Sequence, residues 1–236
     1  MSNEFGLFNI CLKLAPYLLG VRQQVQSSPS SSKSHTVLTE KDLALLNLRQ
    51  KLGSVTVVLG SRDMGKTELC YRLMEFLDRP AYAVSPQQKP PSWITWIKEP
   101  DDIFTMVPPH STLLMDDLPA LMSNRDYSEP FTRAVEKAIP MVRHEPNPPD
   151  HPIGQIHLIF ASQSSAQADK YILDCDAAFL KPLGLLMADV ERPAITRIYK
   201  TLVDPEFAGK DDYFIQRHAY MMSRTFRGLI EVKKTT

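Results

Sequence analysis

Cysteine is scarce in this sequence, with three residues in 236: Cys11, Cys70 and Cys175. Their number is odd and their spacing wide. They make neither a disulfide framework nor a zinc pattern, and they fit a reducing compartment. Net charge is missing too, because 27 Lys and Arg balance 27 Asp and Glu. A broad basic face for nucleic acid is therefore not visible in the totals, although local rings of basic residues could form in an oligomer. No apolar run is long enough to span a bilayer. The start lacks a basic segment and a small-residue cleavage site, so it does not read as a signal peptide. No internal repeat is present. Tryptophan occurs twice, at Trp93 and Trp96. What remains is the composition of a soluble globular domain, 43% hydrophobic and 23% charged, with length enough for an ample core.

One stretch organises the rest. Residues 60–67 read GSRDMGKT and match the phosphate-binding pattern G-x-x-x-x-G-K-[ST]. The β-branched run SVTVVL precedes it, as a buried strand should, and ELCYRLMEFL follows with helical spacing. Backbone N–H groups and a helix start would then face an anion. Gly60 and Gly65 allow backbone shapes and approaches that a Cβ would obstruct. Ser61, Arg62, Asp63 and Met64 complete the loop. Lys66 would reach the β- and γ-phosphates of a nucleotide, and Thr67 would offer its hydroxyl to Mg²⁺.

Around this loop the chain reads as α/β with a mainly parallel sheet. Residues 1–34 are expected to stand apart from a domain spanning 35–236. They hold an apolar, helix-like stretch and the linker SSPSSSKS. That stretch would either dock on a membrane, capsid or neighbouring subunit, or pack on its own domain. Residues 39–52 read as a helix capped by Thr39 and ended by Gly53. Strands are expected at 81–84, 112–117, 156–161 and 177–180, and helices at 126–142 and 188–202, the latter broken near Pro193. A hairpin over 220–233 would turn near Gly228. The segment around Trp93, Ile94, Trp96 and Ile97 suits hydrophobic packing, or a DNA or subunit contact.

Two further patterns carry chemistry. The run TLLMDD reads as a strand whose carboxylates emerge at its C-terminal end. Asp116 would hold Mg²⁺, and Asp117 could position or deprotonate the attacking water. The bland reading is a solvated acidic turn. Gln163 ends the run HLIFASQ, in line to reach a γ-phosphate. By itself it would be an ordinary polar group at a strand end.

The strings MDDLPALM and HLIFASQ, in this order after the loop, resemble the FtsK–HerA superfamily of DNA-pumping ATPases. Those proteins carry an Asp-Glu pair before a similar turn and a strand of the form HLVLATQ. The resemblance spans roughly residues 54–200. It implies a hexamer or similar ring that uses ATP and Mg²⁺ to move double-stranded DNA. Where the family has a catalytic glutamate this sequence has Asp117, whose carboxylate stands further from the nucleotide. The large extra domains of cellular FtsK and the barrel of HerA have no counterpart here. A compact member of this kind looks like the genome-packaging ATPases of tailless icosahedral viruses with an internal membrane. The expected location is then host cytoplasm or virion, with residues 1–34 available to anchor the motor at a capsid vertex or membrane. A DNA-transfer or phage-export ATPase of a mobile element would share every motif. A weakly hydrolysing nucleotide-dependent switch or scaffold is the reading from another class.

A ring ATPase usually completes its site with a neighbour's arginine. Arg143 ends the helix before the glutamine strand, where the resembling proteins carry theirs, and Arg133 is the second choice. The bland reading of Arg143 is an interaction with the negative end of its own helix.

Overall fold

The computed structural model describes residues 39–85, 89–98, 103–116, 135, 139–145, 154–163, 175–184 and 191–233. Residues 1–34, Asp117 and Arg133 lie outside the described residues, as does most of the helix expected at 126–142, where Val135 is helical and buried. Among the described residues no helix is long and apolar enough to cross a membrane.

The first element, α1 (Glu40–Gln50), starts at Thr39, which forms a capping box with Asp42. It ends at Lys51, in extended geometry, rather than at Gly53. Gly53 is a glycine for a different reason. A Cβ there would stand 1.9 Å from the Val142 carbonyl oxygen and 2.7 Å from that of Ile156. The chain enters β1 (Ser54–Leu59), buried along its whole length. The phosphate loop leads into α2 (Lys66–Leu77), and Asp78 closes that helix in left-handed geometry. Arg79 then binds back to the carbonyls of Lys51 and Leu52.

Three strands follow: β2 (Ala81–Val84), β3 (Thr95–Ile97) and, after the short α3 (Ile103–Met106), β4 (Thr112–Met115). The tryptophan segment runs into β3, which takes in Trp96 and Ile97 and leaves Trp93 and Ile94 before it. The segment buries Ile94 and Ile97 and leaves Trp93 44% exposed. A 3-10 turn, Ile139–Met141, precedes β5 (His157–Ser162) and β6 (Ala177–Leu180). Pro193 occupies the first turn of α4 (Pro193–Ile198), where its missing N–H costs nothing; residues 188–190 of the helix expected at 188–202 lie outside the described residues. A π segment, Tyr199–Val203, joins α4 to α5 (Asp204–Phe207). Next come α6 (Asp212–Arg217), β7 (His218–Ser223) and β8 (Arg227–Glu231). The hairpin turns near Gly228, as expected, with Gly228 the second residue of β8.

The eight strands make one sheet in the order β3-β2-β4-β5-β1-β6-β7-β8. The first six are parallel, and β7 and β8 are antiparallel additions. Both faces are covered, which is why the central strands read as continuous apolar runs. Alternation along β1 sends Val57 and Leu59 to one core, and Val58 to the other against Leu69 and Leu73 of α2. Two devices brace the edge where the parallel strands start. Ser54 Oγ and His157 Nδ1 sit 2.6 Å apart. Burial, then the Arg79 charge, lowers the pKa of His157 to about 3, so the ring is neutral. Beside them Asp176 accepts from Lys51 Nζ at 2.5 Å, from the Val55 amide at 2.9 Å and from Arg143.

Candidate active site

The sheet order puts the chemistry on three adjacent strands. Asp116, Gln163 and Gly60 each directly follow the last residue of β4, β5 and β1, which lie side by side. The register pairs Met115 with Phe160 and Leu59 with Ser162, so these three residues emerge along one edge. Parallel strands collect such residues at their C-terminal ends, and neighbours are about 4.8 Å apart. A cleft of about 390 Å³ opens there, lined by Arg62, Asp63, Gly65, Lys66, Thr67, Glu68, Ser85, Asp116, Ala161, Ser162, Gln163 and Gln216.

The loop is built for an anion. Gly65, with φ +73°, caps α2 and brings no side chain to that role, so the start of a twelve-residue helix faces the cleft. Asp63 is also left-handed, at φ 62°, a shape that Asp tolerates better than most residues. Lys66 Nζ donates to the Ser61 carbonyl at 2.7 Å. Thr67 Oγ1 donates to Asp116 Oδ2 at 3.1 Å, joining the two expected Mg²⁺ ligands. Burial and then the Asp116 charge raise the pKa of Cys70 beneath the loop, so its thiol is neutral. Tyr71 is pushed up to about 12, first by burial and then by Asp116.

The donor set fits a magnesium nucleoside triphosphate. An ammonium, a helix start and glycine-shaped backbone suit the phosphates, and a hydroxyl beside a carboxylate suits a hard cation. Gln163, half-buried, lines the same cleft. Asp117 would follow Asp116 but lies outside the described residues.

Arg143 is not brought to this cleft. It pairs with Asp176 at the edge where the parallel strands begin. The six residues of β1 separate the two edges by roughly 20 Å. Arg143 therefore cannot serve the phosphate loop of its own chain.

Sequence reasoning missed two neighbours of the loop. Lys181 follows β6, entirely buried. Its position behind the apolar run AAFL was legible, but not its burial. Gln216 reaches the cleft from α6, a helix without a sequence signal strong enough to find.

Solved structures share this architecture. The chain resembles the genome packaging NTPase B204 of Sulfolobus turreted icosahedral virus 2, solved with AMPPCP. The match covers 77% of this chain and 99% of that one, at 8% identity and a TM-score of 0.50. It also resembles the pCW3 conjugation coupling protein TcpA, solved as a monomer with ATPγS. That match covers 78% of this chain and 62% of that one, at 11% identity and a TM-score of 0.52. No protein-family profile matches the chain, and no curated protein matches it in sequence. The fold is that of a P-loop NTPase, with a mixed, mostly parallel sheet flanked by helices. The P-loop NTPase fold that the resemblance implied is borne out.

Proposed function

We propose that this protein is an ATP-driven double-stranded DNA translocase, and that its work is packaging a viral genome. The observation that carries the ATPase reading is the convergence of Lys66, Thr67, Asp116 and Gln163 on one cleft. Bound ATP supplies the scissile phosphoanhydride, and Mg²⁺ the charge that offsets its oxygens. Lys66 trades its bond to the Ser61 carbonyl for the terminal phosphates. Thr67 and Asp116 hold the cation. Gln163 orients the attacking water, and Asp117 draws its proton. Arg143 acts in a neighbour's site within a hexamer or similar ring.

The packaging reading leans on the match to B204, which this chain covers almost completely. Residues 1–34 then tether the motor to a capsid vertex or membrane, in the host cytoplasm or the virion. The match to TcpA favours a second reading, a DNA-transfer ATPase of a mobile element. Both predict the same biochemistry. Turnover of ATP by the full chain should need Mg²⁺, rise with double-stranded DNA, and vanish in Lys66→Ala. Turnover indifferent to DNA would leave a switch or scaffold, and unchanged turnover in Lys66→Ala would remove the site. Co-purification with virus particles rather than with the host envelope would favour packaging over transfer.

A further inference from the structure

Lys181 is a fully buried lysine directly behind the phosphate loop. Its backbone continues the β6–β1 pairing, with its N–H donating to the Leu59 carbonyl at 2.8 Å. Its Nζ donates to the carbonyls of Ile215 at 2.8 Å, Gln216 at 3.0 Å and His218 at 2.9 Å. An ammonium has three N–H groups, and all three are used. These acceptors belong to the end of α6 and the start of β7, where carbonyls run out of helical partners.

The same device touches both glycines of the loop. A Cβ on Gly60 would stand 2.7 Å from the Lys181 Cβ. A Cβ on Gly65 would stand 2.9 Å from the Gln216 carbonyl oxygen, which is one of the three that Lys181 holds. Gln216 itself lines the cleft. We propose that Lys181 is a positioning residue for nucleotide binding: its ammonium locks the α6–β7 turn onto Gly60 and Gly65, and so fixes the shape of the phosphate loop. The proposal rests on the nucleotide site described above.

The lock is sensitive to protonation. A neutral amine has two N–H groups for three carbonyls, so one contact lapses when Lys181 loses its proton. Burial pushes its pKa down to about 7; Arg72 and Lys66 add to the fall, and Cys70 would oppose it only as a thiolate, which its own raised pKa excludes at neutral pH. Those three groups face it from α2. From the α6–β7 turn the neighbours are Arg217, paired with Glu231, and His218, whose Nδ1 contacts the Phe214 carbonyl. Nucleotide affinity should therefore fall as pH rises above about 7. By linkage, binding on the alkaline side should draw in protons.

The test is the affinity of Mg·ADP for the full chain between about pH 7 and 9. Wild type should weaken about tenfold over that range, the effect of losing one charge-assisted hydrogen bond. Lys181→Arg, which keeps its charge, should be flat. Lys181→Met should be weak throughout. Calorimetry on wild type at pH 8 in two buffers of different ionisation enthalpy should show net proton uptake. It decides the matter alone if the variants do not fold. A wild-type affinity that is flat with pH and takes up no proton overturns the proposal. So does Lys181→Met binding like wild type at pH 7 while Lys66→Ala does not bind. If wild type itself binds no nucleotide, the site falls, and this proposal with it.

Discussion

Asp176 is the residue whose removal should reveal most about the edge opposite the cleft. Its side chain is 6% exposed, and its cations are open to water, Lys51 at 40% and Arg143 at 57%. Asp176→Asn keeps an oxygen for the Val55 amide and loses both ion pairs. Pairs with half-exposed cations are worth up to about 1 kcal/mol each after screening, so the loss should be about 1–2 kcal/mol. Asp176→Ala also orphans the Val55 N–H at the start of a buried strand. That brings the total to about 3 kcal/mol. Urea unfolding of the three proteins, with equal m-values, gives the differences, and melting should drop by about 2–4 °C per kcal/mol.

The pH dependence has a definite sign. Burial raises the Asp176 pKa, but the hydrogen bonds from Lys51 and Val55 and the charges of Lys51 and Arg143 outweigh it. The net pKa is below the ordinary value. A lowered carboxyl pKa stabilises the fold above its unfolded value, about 3.9, and that contribution disappears as pH falls through the folded value. The gap between wild type and Asp176→Asn should therefore be level at neutral pH and close in acid. A gap below about 0.3 kcal/mol, within the noise of surface substitutions, would show that Asp176 is only a solvated partner. A gap that widened in acid would refute the assigned sign.

Arg143→Ala should assemble and bind ATP but hydrolyse it poorly. Mixing it with Lys66→Ala should restore part of the activity, because some sites would then pair an intact loop with an intact arginine; full DNA-stimulated turnover by Arg143→Ala alone would refute the finger. Gln163→Ala should keep Mg·ATP binding and lose turnover by about 10²-fold or more, the range for one water-positioning group, and normal single-turnover hydrolysis would exclude it from the chemistry. Gly53→Ala should destabilise by about 3 kcal/mol through the clash with Val142, and a melting curve unchanged from wild type would show that the loop yields freely.

The phosphate loop was legible because its chemistry is local: two glycines, a lysine and a threonine at fixed spacing, between a strand and a helix. Continuous apolar runs marked the buried parallel strands for a similar reason, since covering both faces of a sheet leaves no polar positions. Asp116 and Gln163 could be named from strand ends. Their meeting on one cleft depended on β5 lying between β4 and β1, an order set by long-range pairing. Gly53 looked like a helix stop and is a contact point, because what excludes its Cβ lies some ninety residues away at Val142. The roles of Lys181, Gln216 and Asp176 were not legible, although the strand end that carries Lys181 was. A buried lysine needs three acceptors that sequence spacing does not reveal, and a cleft-lining glutamine is ordinary until the chain folds. Local pattern was enough to name the groups that can grip a phosphate. Long-range pairing then set which distant backbone presses that grip into shape, and at which edge Arg143 stands.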